Sequence, residues 1–144
     1  MIIVEKEKFI KKIKLNSNIN KFIFAKTLFA LKENPSDEFL LACANTIVNR
    51  CVFESEICDE VANIVQILTS YSCWKNLKAM DLIDENNPVF KKCLNIASDV
   101  LSGKLDEKYS FLLSFHKKSE SHLLTKNIKP KFVLDDFSFF DVYM

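Results

Sequence analysis

Two carboxylates, Glu33 and Glu38, flank the start of the most apolar stretch of the chain, KENPSDEFLLACANTIVNR. A carboxylic acid kept protonated by a partly apolar pocket can donate its proton to a leaving oxygen, the usual way to open a C–O bond. Glu33 closes an apolar helix and adjoins a buried one, so desolvation can raise its pKa. The plainer alternative is an exposed helix-end Glu. Glu38 stands in the first turn of the following helix, where the helix dipole alone favours an acid. Tyr71, Ser72 and Trp74 in SYSCW, and His116 in LSFH, are the other groups able to line a site. Aromatic rings stack on apolar ligand faces, but core packing is their commoner fate. A semi-buried, satisfied histidine is as good a reading of His116 as a groove-lining one. A Cys73–His116 nucleophile pair has no supporting local motif.

The element that must position these groups spans residues 36–50. Pro35-Ser36-Asp37-Glu38 reads as a turn and cap, since a Ser or Asp oxygen accepts from the first unpaired amides of a helix. Phe39, Leu40, Leu41, Ala42, Cys43, Ala44, Ile47 and Val48 then cover most of the circumference. A helix apolar on nearly all sides belongs inside a domain. The polar pair Asn49-Arg50 follows, with Arg50 expected to pin the helix end, and a loop carrying Glu54, Ser55 and Glu56 is expected next.

Around this helix the pattern predicts an N-terminal helical extension in residues 1–17, with Ile3, Phe9, Ile10 and Ile13 on one face. A second helix begins near Asn18 and stops near Asn34, because the residue before Pro35 is pushed out of helical geometry. Val61, Ile64, Val65 and Leu68 predict a helix over Asp59–Thr69. Asn87-Pro88 starts another, and Gly103 ends it as a left-handed cap. The period then changes: Phe111–His116 and Phe137–Tyr143 have strand character and are expected to pair antiparallel. The fold expected is therefore mainly α (α+β): one compact helical domain over 1–144 around the buried helix, with a small C-terminal β element.

Composition narrows the function classes. With one Gly in 144 residues, Gly-rich phosphate loops, Rossmann and Walker motifs are excluded. The net charge of +1 gives no global reason to expect nucleic acid. Lysines cluster at Lys6, Lys8, Lys11, Lys12 and Lys14, and again between Lys117 and Lys131; solvated faces are the simple account, and contact with a polyanion is the alternative. The five cysteines, 43, 51, 58, 73 and 93, lack CxxC spacing and read as reduced thiols, Cys43 and Cys93 in apolar helical patterns. No metal site is expected, His116 and His122 being the only loose ligand spacing, and no cofactor is implied. No secretory signal is legible, and no segment reaches the roughly 18 apolar residues of a membrane span.

An acidic loop, a small-residue helix (ACANTIVNR) and the closing Asn-Arg resemble the SleB-type cell wall hydrolase family, the peptidoglycan-cleaving glycosidases of the spore-cortex-lytic group also found in phages. The likeness continues loosely to Tyr143: Glu56–Val61 is similar to the family's TVCDVV helix, Ser70-Tyr71-Ser72 to its Gln-Phe-Ser, Ala97–Gly103 to its VLSG helix end, Leu113–His116 to its Tyr-His strand, Pro130-Lys131-Phe132 to its Pro-aromatic step and Phe139–Tyr143 to its last strand. The family's GEAxGE pattern is not kept. Ungapped, its catalytic glutamate falls on Leu31 and its second glutamate on Pro35; with a loop two residues shorter, Glu33 takes the catalytic place. Ser70 replaces the family's Gln, and an aromatic stands where its last strand has His. The resemblance implies a lysozyme- or transglycosylase-like fold and a lytic transglycosylase with Glu33 as general acid. Glu38, Tyr71, Ser72, Trp74 and His116 would bind peptidoglycan glycan strands. Such an enzyme would reach the wall through a holin-type lesion or as a virion component. A degenerate relative serving as a structural or binding protein, for example in a phage particle, is the alternative, and loss of the aligned glutamate, the Gln and nearly all Gly favours it.

Overall fold

The computed structural model describes residues 17–58 and 68–143. The expected N-terminal extension, most of the expected helix over Asp59–Thr69 and the Glu56–Val61 motif beyond its first residues lie outside the described residues. Within them the protein is mainly helical, with a small three-stranded antiparallel sheet near the C-terminus. The helices are α1 (Ser17–Leu31), α2 (Asp37–Cys58), α3 (Leu77–Asp81) and α4 (Pro88–Leu101); the strands are β1 (Ser114–Lys117), β2 (Phe132–Leu134) and β3 (Phe137–Phe140). Short 3-10 turns cover Ser72–Lys75 and Glu107–Tyr109. No described helix is long and apolar enough to cross a membrane.

The break between α1 and α2 follows its local chemistry. Asn34 takes a left-handed φ of 51° before Pro35, a conformation Asn tolerates better than most residues. Ser36 then caps α2: its hydroxyl oxygen accepts from Phe39 N–H at 3.1 Å and its carbonyl from Leu40 N–H at 3.1 Å. Asp37 and Glu38 fill the first turn, where negative charge opposes the helix dipole.

The central helix is longer than expected. It does not end at Asn49-Arg50 but continues to Cys58, because nothing there stops it: residues 37–58 contain neither Gly nor Pro. Asn49 is buried, and its amide bonds elsewhere in the fold instead of capping its own helix. Nδ2 donates to the Tyr109 and Leu112 carbonyls, each at 2.9 Å. Cys51 and Val52 carry the buried face onward. Arg50 reaches the Leu113 carbonyl at 3.5 Å and Glu54 at 3.7 Å, one turn along the same helix. Its contacts are with a carbonyl and a carboxylate, though not at a helix end.

Burial confirms the apolar reading of α2. Phe39, Leu40, Ala42, Cys43, Ala44, Ile47 and Val48 are buried, against Phe24 and Leu28 of α1 and Phe90, Cys93, Ala97 and Val100 of α4. Truncating one such large side chain to Ala costs about 2–5 kcal/mol, so each is a sizeable part of a marginal stability. α4 begins as expected: the Asn87 side chain accepts from Val89 N–H at 2.8 Å, and Pro88 opens the helix. It ends in a Schellman motif. Lys104 N–H bonds the Asp99 carbonyl at 2.9 Å and Gly103 N–H the Val100 carbonyl at 3.2 Å, with Gly103 at φ 99° where a Cβ would clash.

The sheet has the order β1-β3-β2. The expected pairing of the two aromatic runs is present, with Phe115 opposite Phe139 and His116 opposite Ser138. The third strand, β2, went unread because it is three residues long and follows a Pro-Lys step. Strand alternation sends Phe115, Phe137 and Phe139 to one face. There Phe39 of α2 meets Phe137 and Phe139 at ring separations of 4.8 and 6.1 Å. Ser114, His116, Ser138 and Phe140 belong to the other face.

Candidate ligand cleft at the start of the central helix

The sheet is anchored to the head of α2 by its tightest turn. β2 and β3 are joined by Asp135-Asp136 alone, both at positive φ (50° and 65°), the backbone of a type I′ hairpin whose twist suits adjoining strands. Asp135 Oδ2 accepts from Ser36 N–H at 2.6 Å, tying the turn to the cap of α2. On the opposite side Lys118 N–H bonds the Asp136 carbonyl at 2.6 Å, extending the β1 edge past the turn.

Between these parts opens a cleft of about 540 Å³, lined by Lys32, Lys117, Lys118, Ser119, Asp135, Asp136 and Phe137. Three lysines and two aspartates line it, and the Asp135 carboxylate already holds a backbone amide. The lining residues carry one more positive than negative charge, while more of the wall surface is apolar than polar. Such a cleft suits an anionic or polyhydroxylated ligand held by charge-assisted hydrogen bonds.

The residues singled out from sequence are not gathered in one groove. Glu33 is exposed, directly follows the cleft-lining Lys32, and offers its carbonyl to the Lys32 ammonium at 3.0 Å. Glu38, five residues on, accepts from the Tyr109 hydroxyl in a short hydrogen bond and from the Lys108 ammonium at 3.3 Å. Those two hydrogen bonds, the Tyr109 one foremost, pull its carboxyl below the usual carboxylate range. It is held as a carboxylate, not as a proton donor.

Tyr71 stacks on Phe115 at 5.8 Å with the rings nearly parallel, and burial pushes its phenol up. Trp74 donates its indole N–H to Thr27 Oγ1 at 2.9 Å, and Thr27 in turn bonds the Ile23 carbonyl, so the indole staples the 3-10 turn to α1. Ser72 is exposed on that turn. His116 lies on the far face of the sheet from Tyr71. Its Nδ1–H donates to the Lys117 carbonyl at 2.8 Å, its Nε2 meets Thr125 Oγ1 at 2.9 Å, and its ring stacks on Phe140 and meets His122 at a tilt. Tyr71 and His116 therefore do not share a groove: β1 itself separates them.

Sequence reading passed over Lys32, Asp135 and Asp136, and met Lys117 and Lys118 only as part of the Lys117–Lys131 cluster. The hairpin had a usable signal, two Asp between FVL and FSFF, because Asp tolerates positive φ. Lys117 and Lys118 had only the clustering, which a solvated face and an anion-binding one share in sequence, and Lys32 had no signal. The four cysteines with described side chains, Cys43, Cys51, Cys73 and Cys93, are thiols outside any disulfide. Burial raises Cys43 and Cys51 well above an ordinary thiol and pushes Cys93 up to about 12. No protein-family model, no curated protein and no solved structure matches the chain.

Proposed function

We propose that this chain is a non-catalytic binding protein, a degenerate relative of the SleB-type hydrolases that holds anionic wall glycan in the cleft between the α1–α2 loop and the β2–β3 turn. The observation that carries this reading is the state of the expected site groups. Glu38 is stabilised as a carboxylate, and the ring and indole of Tyr71 and Trp74 are committed to internal contacts. His116 has both ring nitrogens engaged on the wrong face of the sheet. A general acid needs the opposite environment, a desolvated carboxyl kept protonated. The cationic surplus of the cleft supports a ligand bearing carboxylates, as peptidoglycan strands with their stem peptides do.

A second reading, lytic transglycosylase with Glu33 as general acid, is favoured by one observation: Glu33 adjoins cleft-lining Lys32. One experiment separates the two. Purified peptidoglycan is incubated with wild type, Glu33→Gln and the double variant Lys117→Glu/Lys118→Glu, and both sedimented protein and released muropeptides are measured. Saturable co-sedimentation without products, lost in the double Lys variant, supports binding. Anhydro-muropeptides that disappear in Glu33→Gln establish the enzyme. Neither binding nor products from the folded protein removes both.

A further inference from the structure

We infer that the turn between His122 and Ile128 is a contact point for an anionic bilayer surface. Leu123 and Leu124 enter the boundary between headgroups and chains, and Lys126 and Lys129 meet lipid phosphates. Leu123 is 90% exposed and Leu124 56%. Both occupy the centre of a β-turn closed by Thr125 N–H on the His122 carbonyl at 3.2 Å, positions that Gly, Pro, Asn, Asp and Ser usually fill. The two leucines serve neither the turn nor the core.

Their exposure is built into the fold. Of residues 117–129 only Thr125 is buried, and its hydroxyl meets His116 Nε2 at 2.9 Å on the sheet face turned away from α2. The His122 ring lies 4.6 Å from that of His116. The leucines stand between these two anchors, so the turn holds them away from the sheet. A second turn, Ile128 N–H on the Thr125 carbonyl at 3.1 Å, carries Lys126 at its centre, and Ile128 is 41% exposed.

Charge and composition choose the occupant. Residues 121–131 hold three lysines, Lys126, Lys129 and Lys131, and no acid. Of the three, only Lys131 has a carboxylate partner among the described residues, Asp141 at 3.8 Å. Residues 117–131 contain no Arg, Trp, Tyr or Phe, the types enriched in protein interfaces, where Lys is depleted. A protruding apolar tip flanked by lysines instead matches an anionic bilayer, which offers hydrocarbon to the leucines and phosphate to the ammonium groups. A soluble polyanion would leave the leucines in water. Lys117 and Lys118 of the basic cleft take no part, so the inference does not rest on the glycan-binding reading.

The test is co-sedimentation of the whole chain with vesicles of phosphatidylcholine alone, or mixed equally with phosphatidylglycerol. Saturable binding to the anionic vesicles is expected, at least about tenfold weaker to the neutral ones and weakened by salt. Leu123→Ser/Leu124→Ser should lose at least about tenfold, because two leucines leaving water are worth more than that factor. Lys126→Gln/Lys129→Gln should lose about tenfold or more. All four positions are exposed, so both variants should keep the wild-type urea midpoint. In vesicle-bound Leu123→Trp, brominated chains should quench the new indole, while leaving wild-type Trp74 emission unchanged. Absence of binding to anionic vesicles overturns the proposal, as does equal binding to both kinds. Binding undiminished in the leucine variant overturns it too, since the contact would then lie elsewhere, as at the cluster between Lys6 and Lys14. A dimer that the leucine variant dissociates, with no vesicle binding, would make a second copy of the chain the occupant instead.

Discussion

The two ends of α2 solve opposite problems. At its head, Ser36, Asp37 and Glu38 are exposed: Ser36 N–H bonds Asp135, and the charged Asp37 and Glu38 pair with Lys92 and Lys108. Toward its other end Asn49 is buried, neutral and bonded to carbonyls of the chain sixty residues away. The charged end attracts attention in a sequence, but ion pairs in water are worth little. The buried amide looks like ordinary helix punctuation, yet every polar atom it brings inside must be matched. Chemical conspicuousness and structural weight run in opposite directions along this helix.

The largest effect should come from beneath the charged end. Phe39 is fully buried against Phe137 and Phe139, so Phe39→Ala should cost about 3–5 kcal/mol. The urea midpoint checks it. A loss below about 1 kcal/mol would mean that the hairpin is not held to α2 by this contact. Asn49→Ala comes next. It strands the Leu112 carbonyl, leaves the Tyr109 carbonyl with the Leu112 N–H alone, and should cost about 1–3 kcal/mol, more than any charge substitution at the head of the helix. If Glu38→Gln proved the more damaging, the contrast between the two ends would be reversed.

Trp74→Phe sharpens the same point at a half-buried site. The ring is nearly kept and one neutral hydrogen bond is lost, while Thr27 still bonds the Ile23 carbonyl. About 1 kcal/mol is expected from thermal unfolding. A much larger loss would show that the indole packs more tightly than its hydrogen bond suggests.

What the sequence revealed follows the same division. The apolar circumference of α2, the Asn87-Pro88 start and the Gly103 stop are local signals, each with its own mechanism, and all three are found in the structure. The end of α2 was misplaced because Asn49-Arg50 is a stop only if Asn49 bonds its own helix. Its partners lie at residues 109 and 112, and no local pattern contains them. The site residues were scattered for a related reason. Tyr71 and His116 are separated by the alternation of β1, which is decided by the register against β3 and thus by residues near 138. The basic cleft depends on a two-residue turn meeting a helix cap ninety-nine positions away.

The smallest expected effect tests the charged end alone, through its pH dependence. Glu38 is pulled below the ordinary carboxyl value of 4.5 by its hydrogen bonds to Tyr109 and Lys108. Its folded form therefore binds the proton less readily than the unfolded chain. That contribution is present above pH 4.5 and lost as pH falls below it through the lowered folded value. Tyr109 moves the other way: burial, and then the Glu38 carboxylate, push its phenol from 10.0 up to about 12. Its share is complete below pH 10 and lost as pH rises from there to about 12. Glu38→Gln should change stability by under about 1 kcal/mol at pH 7, since the group is more than half exposed. It should also flatten the part of the acid limb that Glu38 supplies and shrink the alkaline one. Tyr109→Phe should remove the alkaline limb and weaken the acid one, because the largest cause of the Glu38 shift goes with the hydroxyl. Thermal unfolding midpoints of the three proteins between pH 3 and 11 measure this. If Glu38→Gln leaves the acid limb unchanged, the short Tyr109–Glu38 bond contributes nothing in solution, and the head of α2 is held by Phe39 and the Asp135 turn alone.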